Sequence, residues 1–533
     1  MAKDAASSSW TALRNRIFRA IWFGSLISGI CASAHGTAAT WAMNQLSHSV
    51  LFLSMISTFT SLPFFLFTLP AGALADMIDR GRLVAIMHIW LAAAAAGLAV
   101  LGWLNLLNGY LLLLFTFLIG TGFSFNAPAF CALLTDIVSS VELPSATVLN
   151  GLQLDLSGMI GSALGGVLIP FIGTNIIFAV NGAAFLLINL ALLRLQRPKR
   201  QAQSAMENFF QSIATAVRYV RYAPGMQIIL VRQILFSLLV AVIPALLPVV
   251  GLKELHIGAA EFGLLYTSMG AGSVITAAFI LPWGRARYSP NTLTKLAACL
   301  LALVMLLLAF VRQVQILPVI TAFAGVGWTA TANELWLAGQ RAMPAWARGR
   351  MNATVIMFSQ GAMALGGVVF GAGAQTWGAA TVLLAVAAVI LVLLLTFELF
   401  SVPLSIDFTK GLNIEPGPIA PLPANFNYVP RPKDGPVLIT IDVQLDATRG
   451  PELDTFVNEL RLIYLRNGAY SWQLFTDPAQ PNHFHVQIMM PSWSQYLLLC
   501  ERITKAEKQL IDQARSLHVG EDPPEFRMYI RVN

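Results

Sequence analysis

GALADMIDRGRL, residues Gly72–Leu83, is a short charged interruption between two apolar runs, 50–75 and 83–104, neither of which contains an acidic or basic residue other than His88. A bilayer core of about 30 Å takes about 20 helical residues, and a helix is one of the few structures that satisfies its own backbone in lipid. Both runs are long enough. The same reading, carried outward in both directions, gives spans at 17–44, 50–75, 83–104, 110–135, 146–172, 175–195, 227–250, 260–282, 291–312, 315–340, 350–374 and 376–400. The expected fold is therefore an all-α membrane protein with twelve transmembrane helices.

Composition agrees. The 533 residues are 56% apolar and 11% charged, against about 25% charged in soluble domains. The net charge of +7 is distributed by side. Arg14, Arg16, Arg19, Arg80, Arg82, Arg194, Arg197, Lys199, Arg200, Arg285, Arg287, Arg341, Arg348 and Arg350 fall on one side of the spans, and only Lys253 and Arg312 on the other. By the positive-inside rule both termini and the central loop are expected in the cytoplasm of a bacterial inner membrane. The basic balance thus reflects topology, and no nucleic-acid partner is expected. The N-terminus reads as polar and basic, running into a span too long for a signal-peptide core. Cys31, Cys131, Cys299 and Cys500 lack metal or redox spacing, so neither metal nor cofactor is expected.

The loop at 196–226 separates two groups of six spans, giving halves at 1–195 and 227–400. Gly120-Thr-Gly122-Phe123 is echoed by Gly325-Val-Gly327-Trp328, and Ala163–Gly166 by Ala364–Gly367, both reading ALGG. Matching spans with matching echoes indicate an internal duplication, with a substrate site expected near the midplane between the halves. Residues 401–436 are proline-rich and read as a linker. Beyond it, 437–533 reads as a soluble cytoplasmic α+β domain. Strands are expected at 437–445, 469–477, 483–490 and 526–532, with helices at 451–467 and 492–518. The βαββαβ order is that of ferredoxin-like domains.

The segment Gly72–Leu83 resembles the signature loop of the major facilitator superfamily. NAPAFCALLTDIVSSVELPSATVLN (Asn126–Asn150) and MPAWARGRMN (Met343–Asn352) resemble its bacterial secretion-effector branch, which includes enterobactin-exporter-like and macrolide-efflux-like proteins. GAYSWQLF (Gly468–Phe475) and PSWSQYLLLCERITKAE (Pro491–Glu507) are similar to the tail domain of its longer members. The resemblance implies a transporter, not an enzyme. The chain departs from the branch in LNGLQLDLSGMIGSALGG (Leu149–Gly166): Asp155 stands where the branch has asparagine, Gly158 where it has arginine and Ser162 where it has proline.

Charges inside a membrane are costly and are functional candidates by default. Asp155, about nine residues into its span and so roughly 13 Å deep, is the first proton-coupling candidate and Glu334 the second. Arg232 and Glu334 lie in cytoplasmic thirds of spans in the same half and form a candidate ion pair. Asp76, Asp79 and Arg80 of the signature loop are latch candidates, since the resemblance implies that this loop latches the two halves; Arg348 and Arg350 are their candidate partners. Asn126, Gln153, Trp41, Phe123, Trp328 and Gln360 are candidate substrate-cavity residues. Gly161, Gly165, Gly166, Gly366 and Gly367 read as close-packing surfaces. His35 and His88 read as packed histidines. No GxxxxGK(S/T) cassette is found, so an ion gradient is expected to supply energy. The leading reading is a secondary exporter of a small amphipathic compound, drug-like or siderophore, by proton antiport; a lipid or lysophospholipid flippase and a membrane sensor with the tail as output are the alternatives. Expected partners are the small-molecule substrate, protons and the lipid bilayer, with self-association through the tail.

Overall fold

The computed structural model describes residues 11–139, 142–194, 217–223, 225–399, 430–445, 450–520 and 524–531. The latch candidates Asp76 and Arg350 have side chains outside that description, as does most of the expected linker. The described residues fall into two compact units. One takes those within 1–205, 231–336 and 353–404, the other those within 206–230, 337–352 and 405–533.

Helices of the first part, in chain order, are α1 (Arg16–Leu46), α2 (Val50–Met77), α3 (Arg80–Trp103), α4 (Gly109–Ile137), α5 (Leu143–Arg194), α6 (Met226–Glu254), α7 (Ala259–Arg285), α8 (Pro290–Phe310), α9 (Leu317–Arg341), α10 (Ala345–Trp377) and α11 (Ala379–Leu399). Among the described residues ten helices are long and apolar enough to cross a membrane by length and composition. Two details separate that number from the expected twelve. α5 joins two expected spans in one element of 52 residues, about 78 Å at 1.5 Å per residue. It bends at Gly173, where φ is +76°, a backbone open to glycine without strain. α9 has the length, but with Thr329, Thr331, Asn333 and Glu334 in it, it is not among those ten.

The repeated glycines show how the halves are built. A Cβ on Gly120 would lie 2.8 Å from Pro63 of α2, and one on Gly122 2.7 Å from Leu91 of α3. The second-half echoes make the matching contacts. A Cβ on Gly325 would run into Met269 O of α7, and one on Gly327 would lie 2.7 Å from Leu301 of α8. Within each ALGG the two glycines divide their work. Gly165 packs on Ala34 of α1, as Gly366 packs on Leu238 and Ala241 of α6, both inside one half. Gly166 packs on Ala259 and Gly263 of α7, and Gly367 on Ser57 and Thr58 of α2, both across the halves. Only small residues let helix backbones approach this closely. Gly161 adds a within-half contact, its Cβ direction running into Ile30 O.

The cross-half seams lie on the side away from the arginine-rich loops. α2 and α10 run together there: Thr58 donates to Ala364 O at 3.0 Å, Gly371 lies against Ser54, and Gln375 Oε1 accepts from Ser49 Oγ and Leu51 N. Lys253 Nζ donates to the carbonyls of Asn44 and Ser47 at 3.2 and 2.8 Å, closing the same end.

In the second unit, β1 (Val437–Gln444), β2 (Ser471–Asp477), β3 (Gln480–Met490) and β4 (Glu525–Ile530) form an antiparallel sheet in the order β2-β3-β1-β4. Ile439 pairs with Ile488 and Met528, so alternate side chains share one apolar face. That face joins Tyr464 and Ile463 of α12 (Gly450–Arg466), Leu499 of α13 (Trp493–Arg502) and Ile511 of α14 (Lys505–Ser516) in one core. The single helix expected at 492–518 is two. Thr504 starts the second as its N-cap, with Glu507 reaching back to the Thr504 amide at 2.8 Å, a reciprocal capping box. Glu507 is buried and also receives Arg466 and Asn467, at 2.7 and 3.0 Å.

The second unit also takes in the described residues within 206–230 and 337–352. Tyr222 packs against the tail core, Tyr219 donates its hydroxyl to Ala342 O at 3.1 Å, and Arg218 reaches Gly468 O at 3.5 Å. Burial holds the Tyr219 phenol well above its ordinary pKa, so it remains a donor.

Candidate functional site

One face of α5 changes character along its length. Gly151, Asp155 and Gly158 are spaced i−4, i, i+3 and share that face. A Cβ on either glycine would meet nothing within 4 Å. Asp155 between them is half-buried, and no partner is recorded for it among the described residues. One turn on, the face closes against α7. Met159 O accepts from Thr267 Oγ1 at 3.3 Å, Met159 lies 3.0 Å from the Cβ direction of Gly270, and Gly166 meets Gly263. Asp155 therefore sits where an open face on the arginine-rich side ends and the seam between the halves begins.

Asn126 Oδ1, Ser359 Oγ and Gln360 Oε1 are buried and lack hydrogen-bond partners among the described residues. Buried polar atoms without partners are rare in native structures and call for an occupant such as water or ligand. Asn126 and Asp155 are not hydrogen-bonded to each other. Ser359 had no signal in the sequence beyond its place one residue before Gln360.

Gln153 is a correction. It is buried in the α1–α5 contact, its amide donating to Ser25 O and Ser157 Oγ, both at 3.0 Å, and it faces helix α1, not a cavity. Phe123 packs edge-on against Phe185, 5.9 Å between centroids, in the core of the first half. Trp41 and Trp328 are half-buried against the large apolar cluster of the bundle. His35 is buried on Phe178 and His88 near Phe185.

The expected Arg232–Glu334 pair is also corrected. Glu334, 1% exposed, takes Arg285 Nε at 2.6 Å. Arg285 ends α7 and projects back toward α9, which the span boundaries alone did not reveal. Arg232 instead donates to Asn291 Oδ1 at 3.3 Å and lies over the Phe397 ring. In the signature loop Asp79 caps its own helix, accepting from Arg82 N at 2.8 Å, and Arg80 opens α3. Arg348, in the first turn of α10, is exposed and donates to Met343 O just before that helix at 3.4 Å.

A family model described as transmembrane secretion effector matches residues 7–533. The chain belongs to the transmembrane secretion effector family. This secretion effector is thus a major-facilitator-type membrane transporter, not an enzyme. It is 23% identical over 260 residues to macrolide efflux protein A of Streptococcus pyogenes, covering 48% of this chain and 64% of that protein. It is 28% identical over 267 residues to the enterobactin exporter EntS of Citrobacter koseri, covering 49% of this chain and 62% of that one. The match therefore spans less than two thirds of either relative. The fold is shared with a bacterial homolog of the human lysosomal transporter Spinster in an inward-facing, unoccupied conformation, with a TM-score of 0.58 at 14% identity over 73% of this chain and 97% of that one. A POT family transporter in complex with 5-aminolevulinic acid gives a TM-score of 0.60 at 13% identity, covering 74% and 97% of the two chains.

In the tail of this secretion effector, His485 Nδ1 lies 2.6 Å from Asp442 Oδ1 on the sheet face opposite the core. The described residues contain no group of three or more His, Cys, Asp or Glu placed to hold a metal.

Proposed function

We propose that this secretion effector is a secondary exporter of a small amphipathic compound, drug-like or siderophore, that works by alternating access and is coupled to protons through Asp155. The observation that carries the proposal is the change along α5, open around Asp155 and sealed from Met159 onward. An alternating-access carrier needs its halves joined on one side of a central site and parted on the other. The arginine-rich side is the open one, and the positive-inside rule makes it cytoplasmic. Both termini then lie in the cytoplasm of a bacterial inner membrane. Counting the two arms of α5 separately, and adding α9, gives twelve spans in two six-helix halves. The strand order, with helices after β1 and β3, supports a ferredoxin-like tail. Export as the direction, and amphipathic substrates as the class, rest on the names of the macrolide and enterobactin relatives.

A carboxyl half-exposed to one aqueous side exchanges protons with that side only, and moving the seam past it transfers the exchange to the other side. Everted membrane vesicles holding the full chain test this reading. Acidifying the lumen is expected to drive accumulation of an amphipathic fluorescent dye, and a protonophore to abolish it. Accumulation that survives the protonophore, or none at all across a panel of drug-like and siderophore compounds, contradicts it.

A further inference from the structure

The tail encloses a cavity in its own core. It has a volume of about 80 Å³ and lies between the sheet and helices α12 and α14. Its floor is one row of side chains across the sheet: Leu474 of β2, Val486 of β3, Ile441 of β1 and Phe526 of β4, each paired with the next. Phe456, Leu460 and Tyr464 of α12, with Ile511 and Ala514 of α14, cover that row. Positions three and four apart share one helix face, so both helices turn their apolar sides to the void. The next row of the sheet contains Ile439 and Ile488, which are almost completely buried. The cavity begins where that packing ends.

One donor in its wall is unsatisfied. Trp472 of β2 lines the cavity, is 7% exposed, and has a buried Nε1 with no hydrogen-bond partner among the described residues. A buried indole N–H ordinarily finds an acceptor. Apart from Trp472, only Tyr464 and Arg515 bring polar side-chain atoms to the lining. Burial holds the Tyr464 phenol well above its ordinary pKa, so it stays neutral. Arg515 donates to Asp512 Oδ1 at 3.2 Å and lies over the Phe526 ring. A water molecule wants two to four polar partners, and a void walled mainly by hydrocarbon is a poor place for one. A ligand with one acceptor on an apolar body satisfies the N–H and fills the void together. An apolar cavity of about 150 Å³ takes benzene, so about half that volume suits a body of about three to five non-hydrogen atoms. Stripping a charge of water there would be costly, which makes the body neutral.

We propose that the tail binds a small uncharged carbonyl compound, its oxygen on Trp472 Nε1 and its hydrocarbon against Ile441, Leu460 and Phe526. The site is built wholly from tail residues and does not rest on proton coupling through Asp155.

The test is NMR of the full chain in phosphatidylcholine nanodiscs with isotopically labelled tryptophan. The Trp472 indole signal is the one lost in Trp472→Phe. Cyclobutanone is expected to move that signal downfield, saturably, and to leave the other indoles in place. Methylenecyclobutane has the same shape without the acceptor and is expected to bind without the downfield shift. Cyclooctanone, too large for the void, is expected to leave the signal unmoved. Ligand-observed saturation transfer then gives affinities in the variants. Trp472→Phe is expected to weaken cyclobutanone about fivefold relative to methylenecyclobutane, the loss of one hydrogen bond. Ala514→Phe fills the cavity from α14 and is expected to abolish binding of both. The comparison of the three compounds uses the unaltered chain and needs no variant beyond the assignment. Equal downfield shifts from cyclobutanone and methylenecyclobutane, a response to cyclooctanone equal to that of cyclobutanone, or a signal that exchanges with water and is moved by none of them would each overturn the proposal.

Discussion

Gly166→Ala adds one methyl group at the seam between the halves. Its Cβ would lie 2.7 Å from both Ala259 O and Gly263 Cα, whereas non-bonded carbon atoms are comfortable at about 3.5–4.0 Å. Both neighbours are backbone, so neither moves aside as a side chain does; α5 and α7 have to separate by about 1 Å. Overpacking of this kind costs about 1–3 kcal/mol. The cost falls only on the conformation in which this seam is shut, because the opposite conformation parts these helices. The equilibrium therefore moves toward the state open on the side away from the arginines by about 5- to 150-fold. Ser54→Cys, buried in the α2–α10 seam against Gly371, reports that opening. In a background with the four native cysteines replaced, its labelling by a membrane-impermeant maleimide should accelerate by that factor. Gly161→Ala is the control. Its Cβ would run into Ile30 O inside one half, so it lowers thermal stability without favouring either conformation. Unchanged labelling in a well-folded Gly166→Ala protein, or equal acceleration in Gly161→Ala, would refute the division of labour between within-half and cross-half glycines.

Glu334→Gln removes the charge paired with Arg285. Arg285 is 37% exposed and regains water, so the loss should be about 1–3 kcal/mol, seen as a melting temperature lowered by a few degrees. The response of transport to a pH gradient should stay normal, and loss of that response would reassign coupling to this pair. Tyr219→Phe leaves the Ala342 carbonyl without its donor and should cost about 1 kcal/mol. Hydrogen exchange in 337–342 should then accelerate about fivefold, and unchanged exchange would show that the bond contributes nothing to the second unit.

Much of the architecture was legible because its causes are local. Span lengths follow from apolar runs, and the repeated glycines marked close helix contacts, since a glycine in a membrane helix marks a close neighbour whichever helix that is. The T-x-x-E of Thr504–Glu507 was also present and signals a helix start, yet the amphipathic pattern running through 492–518 obscured it. The site was harder to read. Whether Gln153 faces a cavity or α1 depends on the rotation of α5, and polar residues at i and i+2 occupy different faces of one helix. The Arg285 partner of Glu334 depends on where α7 ends relative to α9. Neither follows from spacing. Gly151 carried no signal and Gly158 only the absence of an arginine; that a side chain at either would meet nothing within 4 Å depends on where the neighbouring helices lie.

The central claim is that Asp155 carries the protons that drive export. Asp155→Asn keeps size and polarity while fixing the uncharged state, so it separates coupling from folding and from substrate passage. In proteoliposomes containing the full chain and a dye shown to be transported, the account predicts that Asp155→Asn loses accumulation driven by an imposed pH gradient. It also predicts that dye exchange across the same membranes without a gradient persists at close to the unaltered rate. Gradient-driven accumulation by Asp155→Asn equal to that of the unaltered protein would contradict the account and place proton coupling elsewhere in the molecule.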